Sequence, residues 1–419
     1  MSVPREESLR KVAAEHGTPC FVYFADEIAA RIELVRSAFG GLFEPSYAVK
    51  SNPHSAILGL MRRKIGSLDI SSIGEMYRGI AAGWSAADMS FTGPAKRPFE
   101  LEEAVRHGVG LMIVESEVEI RDLHRLAVAA GRVQDIAIRV APATLPRGFG
   151  VSMSGRPSQF GIDEEAVPAA IAVARSLPGV RLVGFHAYAG TQCLNVEALI
   201  GNLANCADLF TRFSELADIE PTTLIFGSGF GIPYHEGMKS LDLAPVAAGI
   251  RDRFARLRAD PRFARTELLL ELGRFLVGEA GVFLTSVLRV KPSKGTIVGI
   301  CDGGMNHHLG ACGHLGSVIH RNYRMSNLSR HGAKPGNGVT LVGPLCTSID
   351  TLAHDADLPS PEPGDVIAIE CSGAYGQTSS PAGFISHPIA REFLVTGDRV
   401  EELADESRLH ERLAPERAR

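Results

Sequence analysis

Lys50 stands in Tyr47-Ala48-Val49-Lys50-Ser51-Asn52, with an apolar run before it. An ammonium pressed against apolar wall is driven toward its neutral, nucleophilic form, as Schiff-base chemistry requires. A lysine exposed at a strand end is the plainer reading of that residue taken by itself. In Gly227-Ser228-Gly229-Phe230-Gly231 the glycines would let backbone N–H groups approach a phosphate, and a flexible turn would use the same residues. It is not a dinucleotide fingerprint, because Ile232 stands where a third glycine is needed. Glu271-Leu272-Gly273-Arg274 follows the apolar Leu268-Leu269-Leu270. A buried acid needs a cationic partner, which could be Arg274 or a protonated heterocycle whose phosphate Arg274 binds.

Each of these segments closes a short β-branched or apolar run. Such runs begin near Ser46, Ser67, Met89, Gly110, Ile136, Leu182, Thr223 and Leu268, with helical periodicity between them. Ser116 with Glu119 forms a capping box for one of those helices, and Ser72 with Glu75 forms another, which accounts for Glu75 without a chemical role. Eight strand-helix units predict an α/β fold, a (β/α)8 TIM barrel, whose reactive groups lie at the C-terminal strand ends. Lys50 would end strand one, Arg139 strand five, Gly227 strand seven and Glu271 strand eight. The early strands start about 21 to 26 residues apart and the later ones about 41 to 46 apart, so longer loops belong to the second half.

Before the barrel, Thr18-Pro19-Cys20-Phe21-Val22-Tyr23-Phe24 reads as a strand, followed by a helix carrying Ile28, Ile32, Val35 and Phe39. Beyond Arg274 short strands alternate with Gly, Pro and Asn turns, which predicts a C-terminal all-β domain. The expected division is a barrel over 26–275 and a β-domain over 276–419 completed by residues 1–25. Ala143 to Ser158 and Asn322 to Gly338 read as mobile loops, and the charged last fifteen or so residues as a frayed end.

A lysine, a phosphate cup, a carboxylate and an arginine in one barrel mouth describe a site for pyridoxal 5'-phosphate. Composition narrows the rest. The 43 basic and 48 acidic residues are dispersed, without a basic stripe, so nucleic acid is not an expected partner. Mean hydropathy is +0.06, no apolar run approaches a membrane span, and the N-terminus is too charged for a signal peptide. The expectation is a cytoplasmic protein without membrane contact. Seven cysteines, at 20, 193, 206, 301, 312, 346 and 371, form no CxxC pair, so neither a disulfide framework nor a cysteine-built zinc site is expected. His307, His308 and His314 lack acidic or cysteine ligands at suitable spacing, so no metal site is expected either.

With Gly343-Pro344-Leu345-Cys346 and Gly373-Ala374-Tyr375 added in the same order, the chain resembles the fold type III pyridoxal phosphate decarboxylases, such as diaminopimelate and ornithine decarboxylases. They share the alanine racemase-like barrel followed by a β-domain. The resemblance implies that Lys50 carries the cofactor as a Schiff base and that Glu271 keeps its pyridine nitrogen protonated. It sets Thr191, Gly227, Ser228, Gly229, Arg274 and Tyr375 around the cofactor phosphate, with Asp69, Arg139, His186 and Gly273 also at the cofactor. The related racemases place an arginine at the ring nitrogen, so Glu271 speaks against a racemase. The resemblance further implies a homodimer with shared active sites, in which Cys346 of one subunit protonates the substrate α-carbon in the other.

Four departures bear on substrate. Tyr188 replaces the histidine that stacks on the cofactor. Thr347 replaces the acid that anchors a distal amine. His307-His308 follow Asp302-Gly303-Gly304-Met305-Asn306 in place of the Arg-Pro that grips a distal carboxylate, and Gln159 replaces a common lysine. These variants resemble decarboxylases of exosortase loci and of aminoglycoside side-chain assembly, some of which act on aminoacyl groups tethered to an acyl carrier protein. Thr347, Asp350 and Gln377 are then the candidate substrate contacts, and Arg147, Arg156, Arg324 and Arg330 are candidates for docking an acidic carrier, or merely solvated loop charges. A basic amino-acid decarboxylase is the alternative activity. A non-catalytic cofactor-binding regulator is the alternative class, disfavoured because it would not need Cys346.

Overall fold

The computed structural model describes residues 3–144, 146, 148–152, 157–313, 321–330, 332–334, 336 and 338–406. The described residues form two compact units: Ile32–Gly231 with Leu241–Gly273, and residues 3–31 with Ile232–Ser240 and residues 274–406.

In the first unit the barrel strands are, in chain order, Glu44–Ala48, Ser67–Ile70, Met89–Phe91, Leu111–Val114, Gln134–Ala141, Val180–Ala187, Thr223–Gly227 and Glu267–Leu272. Each pairs in parallel with the next, and the eighth pairs with the first, so the ring closes. Parallel neighbours need crossovers, supplied here by helices such as Ile73–Ala81 and Glu117–Ala129. Their caps are the serines expected: Ser72 and Ser116 accept the N–H of Glu75 and Glu119. Phe43, Phe210, Phe226 and Phe254 fill the space between sheet and helices with edge-on and tilted rings.

Inside the ring, Ile113, Ala137, Ile225 and Leu269 form a dry layer. Side chains two residues further along a strand return to the same face. That step reaches Glu115, Arg139, Gly227 and Glu271, so the layer nearer the C-terminal strand ends carries charge.

The second unit is a mixed sheet. Cys20–Phe24 lies antiparallel to Gly281–Ser293 and parallel to Arg391–Thr396. Helix Val3–His16 sends Leu9 and Val12 into its core with Val22, Leu284 and Phe393. The sequence pattern did not predict that helix, nor the strands Thr351–Ala356 and Arg399–Glu402, where exposed His354 and Asp355 in the one and Arg399, Glu401 and Glu402 in the other interrupt the apolar run. Two readings need correction. The stretch 322–338 is not one open loop: Met325–Asn327 pairs with Val366–Ile369, and Asn327 and Arg330 both bond Asp365. The first barrel strand stops at Ala48, and Lys50 sits in the one-turn 3-10 segment Val49–Ser51. Of the other expected loop, Val151–Ser152 pairs with Gly190–Thr191, while Arg147 and Arg156 lie outside the described residues, as do His314 and residues 407–419. Among the described residues no helix is long and apolar enough to cross a membrane.

Candidate active site

The Lys50 ammonium lies 3.4 Å from Asp69 Oδ2 and 3.5 Å from Glu271 Oε1. Its side chain is 40% exposed while each carboxylate is 3% exposed, so two acids and access to solvent stand beside the ammonium where a dry apolar wall was expected. Ring closure makes this meeting: Lys50 follows strand one, Glu271 lies 221 residues on in strand eight, and those two strands adjoin. Gly273 helps, since a Cβ there would press on Ser51 and Ala48, the turn that carries Lys50.

The two acids are pushed apart in proton affinity. Asp69 accepts from Thr92 Oγ1 at 2.5 Å, yet burial and the negative charge of Glu271 outweigh Lys50 and raise it to about 7. Burial would raise Glu271 as well, but Lys50, the His186 hydrogen bond at 2.9 Å and the Arg139 charge together hold it down to about 2. One carboxylate is thus kept ionised beside one that can take a proton near neutrality. Burial lowers His186 below its ordinary value. Arg139 is tied to Glu115 at 3.0 Å and covers Phe160 at 4.8 Å. Glu115 also accepts from the N–H groups of Gly93 and Gly161. The sequence reading did not single out Glu115, although it stands two residues beyond Ile113 on an inward face.

At strand seven, a Cβ on Gly227 would strike Tyr188 at 2.5 Å and one on Gly229 would strike Gly190 O at 2.6 Å, so these glycines admit the Tyr188–Thr191 segment. Tyr188 therefore lies against Gly227. Ser228 Oγ donates to the Glu271 carbonyl at 2.8 Å, joining the ends of strands seven and eight.

The remaining expected residues belong to the β unit. Arg274 bonds the Tyr234 hydroxyl, and its guanidinium lies 4.7 Å from the centroid of the Tyr375 ring. Its Nε is buried without a partner among the described residues. Cys346 is exposed, and the other cysteines are buried thiols. Asp350 corrects an expectation. Its carboxylate, 2% exposed, accepts from the N–H groups of Met305 at 2.6 Å and Leu345 at 2.8 Å, nested where only glycine fits at Gly304 and Gly343. It fastens the turn bearing Cys346 and Thr347 to the Met305 turn, so its oxygens are spent on backbone rather than aimed at a substrate. Thr347 is half-buried, and both polar side-chain atoms of Gln377 are buried without partners among the described residues. Arg324 and Arg330 are paired with Glu370 and with Asp365 and Glu362, so neither is an uncommitted docking charge. His307 bonds the Pro388 carbonyl and His308 the Ser372 hydroxyl. Among the described residues no group of His, Cys, Asp or Glu could hold a metal.

A closed parallel barrel whose rim lysine meets two buried carboxylates, followed in the same chain by a mixed-sheet unit, is the arrangement expected of a fold type III pyridoxal enzyme. The chain belongs to the pyridoxal-dependent decarboxylases: the family model "Pyridoxal-dependent decarboxylase, pyridoxal binding domain" matches residues 25–278. It is similar to the L-glutamyl-[BtrI acyl-carrier protein] decarboxylase of Niallia circulans, 34% identical over 90% of this chain and 88% of that one. It is 32% identical to the diaminopimelate decarboxylase of Archaeoglobus fulgidus over 93% of this chain and 90% of that one. The structure of diaminopimelate decarboxylase from Helicobacter pylori complexed with L-lysine superposes with a TM-score of 0.83 at 28% identity, covering 96% of this chain and 99% of that one. The chain is a pyridoxal phosphate-dependent carboxy-lyase.

Proposed function

We propose that this enzyme removes the α-carboxylate of an amino acid whose far end is neutral, as when an aminoacyl group is joined to an acyl carrier protein. The observation that carries the assignment of the centre is the Lys50 ammonium between two buried acids, 3.4 Å and 3.5 Å away. The residues fit pyridoxal phosphate: Lys50 would hold it, ionised Glu271 would accept from its ring nitrogen, and Tyr188 would cover a ring face. Arg274, whose buried Nε lacks a partner among the described residues, has the donor fork that a phosphate dianion calls for, and Gly227, Ser228, Gly229, Thr191 and Tyr375 are the other phosphate contacts that the family resemblance implies. When bound, the cofactor supplies an electron sink for the pair left as CO2 departs. Asp69, 3.4 Å from the Lys50 ammonium, can take up or release a proton beside it. Cys346, exposed on its turn, serves as proton donor to the α-carbon in the partner subunit of a homodimer.

The substrate assignment rests on Thr347. A distal ammonium in a partly dry pocket needs a facing carboxylate, since an unpaired buried charge costs several kcal/mol. Thr347 offers a hydroxyl and Gln377 an amide, which suit an amide or thioester instead. The 34% identity to a decarboxylase named for a carrier-bound glutamyl group supports the same reading. The 32% identity to a diaminopimelate decarboxylase favours a second, with free diaminopimelate as substrate. Parallel measurement of kcat/KM separates them. Carrier- or amide-linked amino acids with free α-amino and α-carboxyl groups should turn over while free ornithine, lysine and diaminopimelate do not, and Thr347→Glu should gain activity on a basic amino acid. Efficient decarboxylation of free diaminopimelate would replace the first reading with the second.

A further inference from the structure

We propose that His186 is a positioning residue: its Nε2–H holds Oε2 of Glu271, so that Oε1 is the oxygen presented toward Lys50 and the cofactor ring. This rests on the reading of Glu271 given above and deepens it by naming what aims the carboxylate. His186 on strand six and Glu271 on strand eight reach toward each other past strand seven, where Ile225 lies beside His186 and Gly227 beside Glu271. Their contact of 2.9 Å joins side chains only 1% and 3% exposed.

An ionised carboxylate only accepts, so the proton of the imidazole sits on Nε2. The other nitrogen, Nδ1, is buried without a partner among the described residues, so a second proton there would have no acceptor to meet it. The charged groups that face the pair are Lys50 after strand one, Asp69 on strand two, Glu115 after strand four and Arg139 on strand five. Arg139 neighbours His186 in register, and its positive charge opposes protonation of the ring. Glu115 holds that guanidinium in place at 3.0 Å. The imidazole is thereby a neutral donor with one tautomer. Without it, Lys50 would be the remaining donor on Glu271 among the described side-chain bonds, and the carboxylate could turn both oxygens toward the lysine.

The test uses the holoenzyme. Borohydride reduction and peptide mapping of the unaltered protein come first, and a pyridoxyl group anywhere but Lys50 would remove the reading of the site itself. With Lys50 labelled, His186→Leu and His186→Gln are compared for cofactor Kd and for the pH dependence of the bound cofactor's absorbance. The leucine protein should bind cofactor about 10- to 100-fold more weakly, the size of one lost charge-assisted bond. Its spectral transition should shift by about one pH unit or more. Glutamine, whose amide can donate from nearly the same point, should restore most of both. Unchanged affinity and spectrum in the leucine protein would overturn the proposal, and so would equal impairment of the two variants, which marks mere packing. If the leucine protein does not fold, His186→Asn, whose amide falls short of Glu271, takes its place.

Discussion

Both units bury histidines, and the surroundings differ in kind. In the barrel, His186 bonds the Glu271 carboxylate at 2.9 Å beside the ion pairs of Lys50 with Asp69 and of Arg139 with Glu115. In the β unit, His308 donates to the Ser372 hydroxyl at 2.9 Å and accepts from the Ala311 N–H at 3.3 Å, ringed by Phe21, Phe283 and Tyr323. Burial lowers both imidazoles, His308 to about 3. A buried imidazole is therefore no sign of reactivity by itself. What distinguishes the barrel site is opposed charge left incompletely neutralised, with Lys50 still 40% exposed, whereas His308 spends both nitrogens on neutral partners.

That contrast can be broken most directly at Glu271. Glu271→Gln keeps the shape and removes the charge, so cofactor should still bind while kcat falls about a hundredfold to a thousandfold, the usual size of one preorganised electrostatic contact. Retention of full kcat would mean that the charged layer of the barrel is no more engaged in the reaction than the histidines of the β unit. A smaller effect is expected at Asp350, where charge in the β unit serves structure. Asp350→Asn keeps one acceptor for two N–H groups and should lower stability by about 1.5 to 3 kcal/mol, read by urea denaturation of the holoenzyme. A raised KM at unchanged stability would instead return Asp350 to the substrate.

The barrel was legible because eight apolar runs recur with helical stretches between them, and because period two places Glu115, Arg139 and Glu271 one step beyond the inward Ile113, Ala137 and Leu269. Which charges would meet was not legible. Lys50 with Glu271 and Arg139 with Glu115 are separated by 221 and 24 residues, and closure of the ring brings strand one against strand eight. The apolar letters around Lys50 suggested a dry wall, because residues adjacent in sequence are not the ones that face a strand-end side chain. Asp350 misled for a related reason: its motif sits beside Cys346, but Gly304 and Gly343 open a nest for its carboxylate, and their closeness to it comes from tertiary folding.

The smallest expected effect concerns protons. Unfolded, His308 takes up a proton near pH 6.5; folded, it does so only near pH 3. Folding disfavours the protonated ring, so the stability that His308 contributes is complete above pH 6.5 and is lost as pH falls toward 3. Glu271, lowered from 4.5 to about 2, acts in the same direction but only below pH 4.5. Asp69, raised from 3.8 to about 7, acts oppositely: its contribution is present below 3.8 and is lost as pH rises toward 7. Between pH 6.5 and 4.5 His308 and Asp69 therefore pull against each other, and Glu271 is silent. His308→Gln can keep a donor for Ser372 and an acceptor for the Ala311 N–H while removing the titration. The variant should match the parent above pH 7 and lose less stability than the parent from pH 6.5 to 4.5. The two curves should differ in slope by at most one proton. Urea midpoints of the holoenzyme across that range measure it, and parallel curves would mean that His308 is not held neutral by its aromatic surroundings.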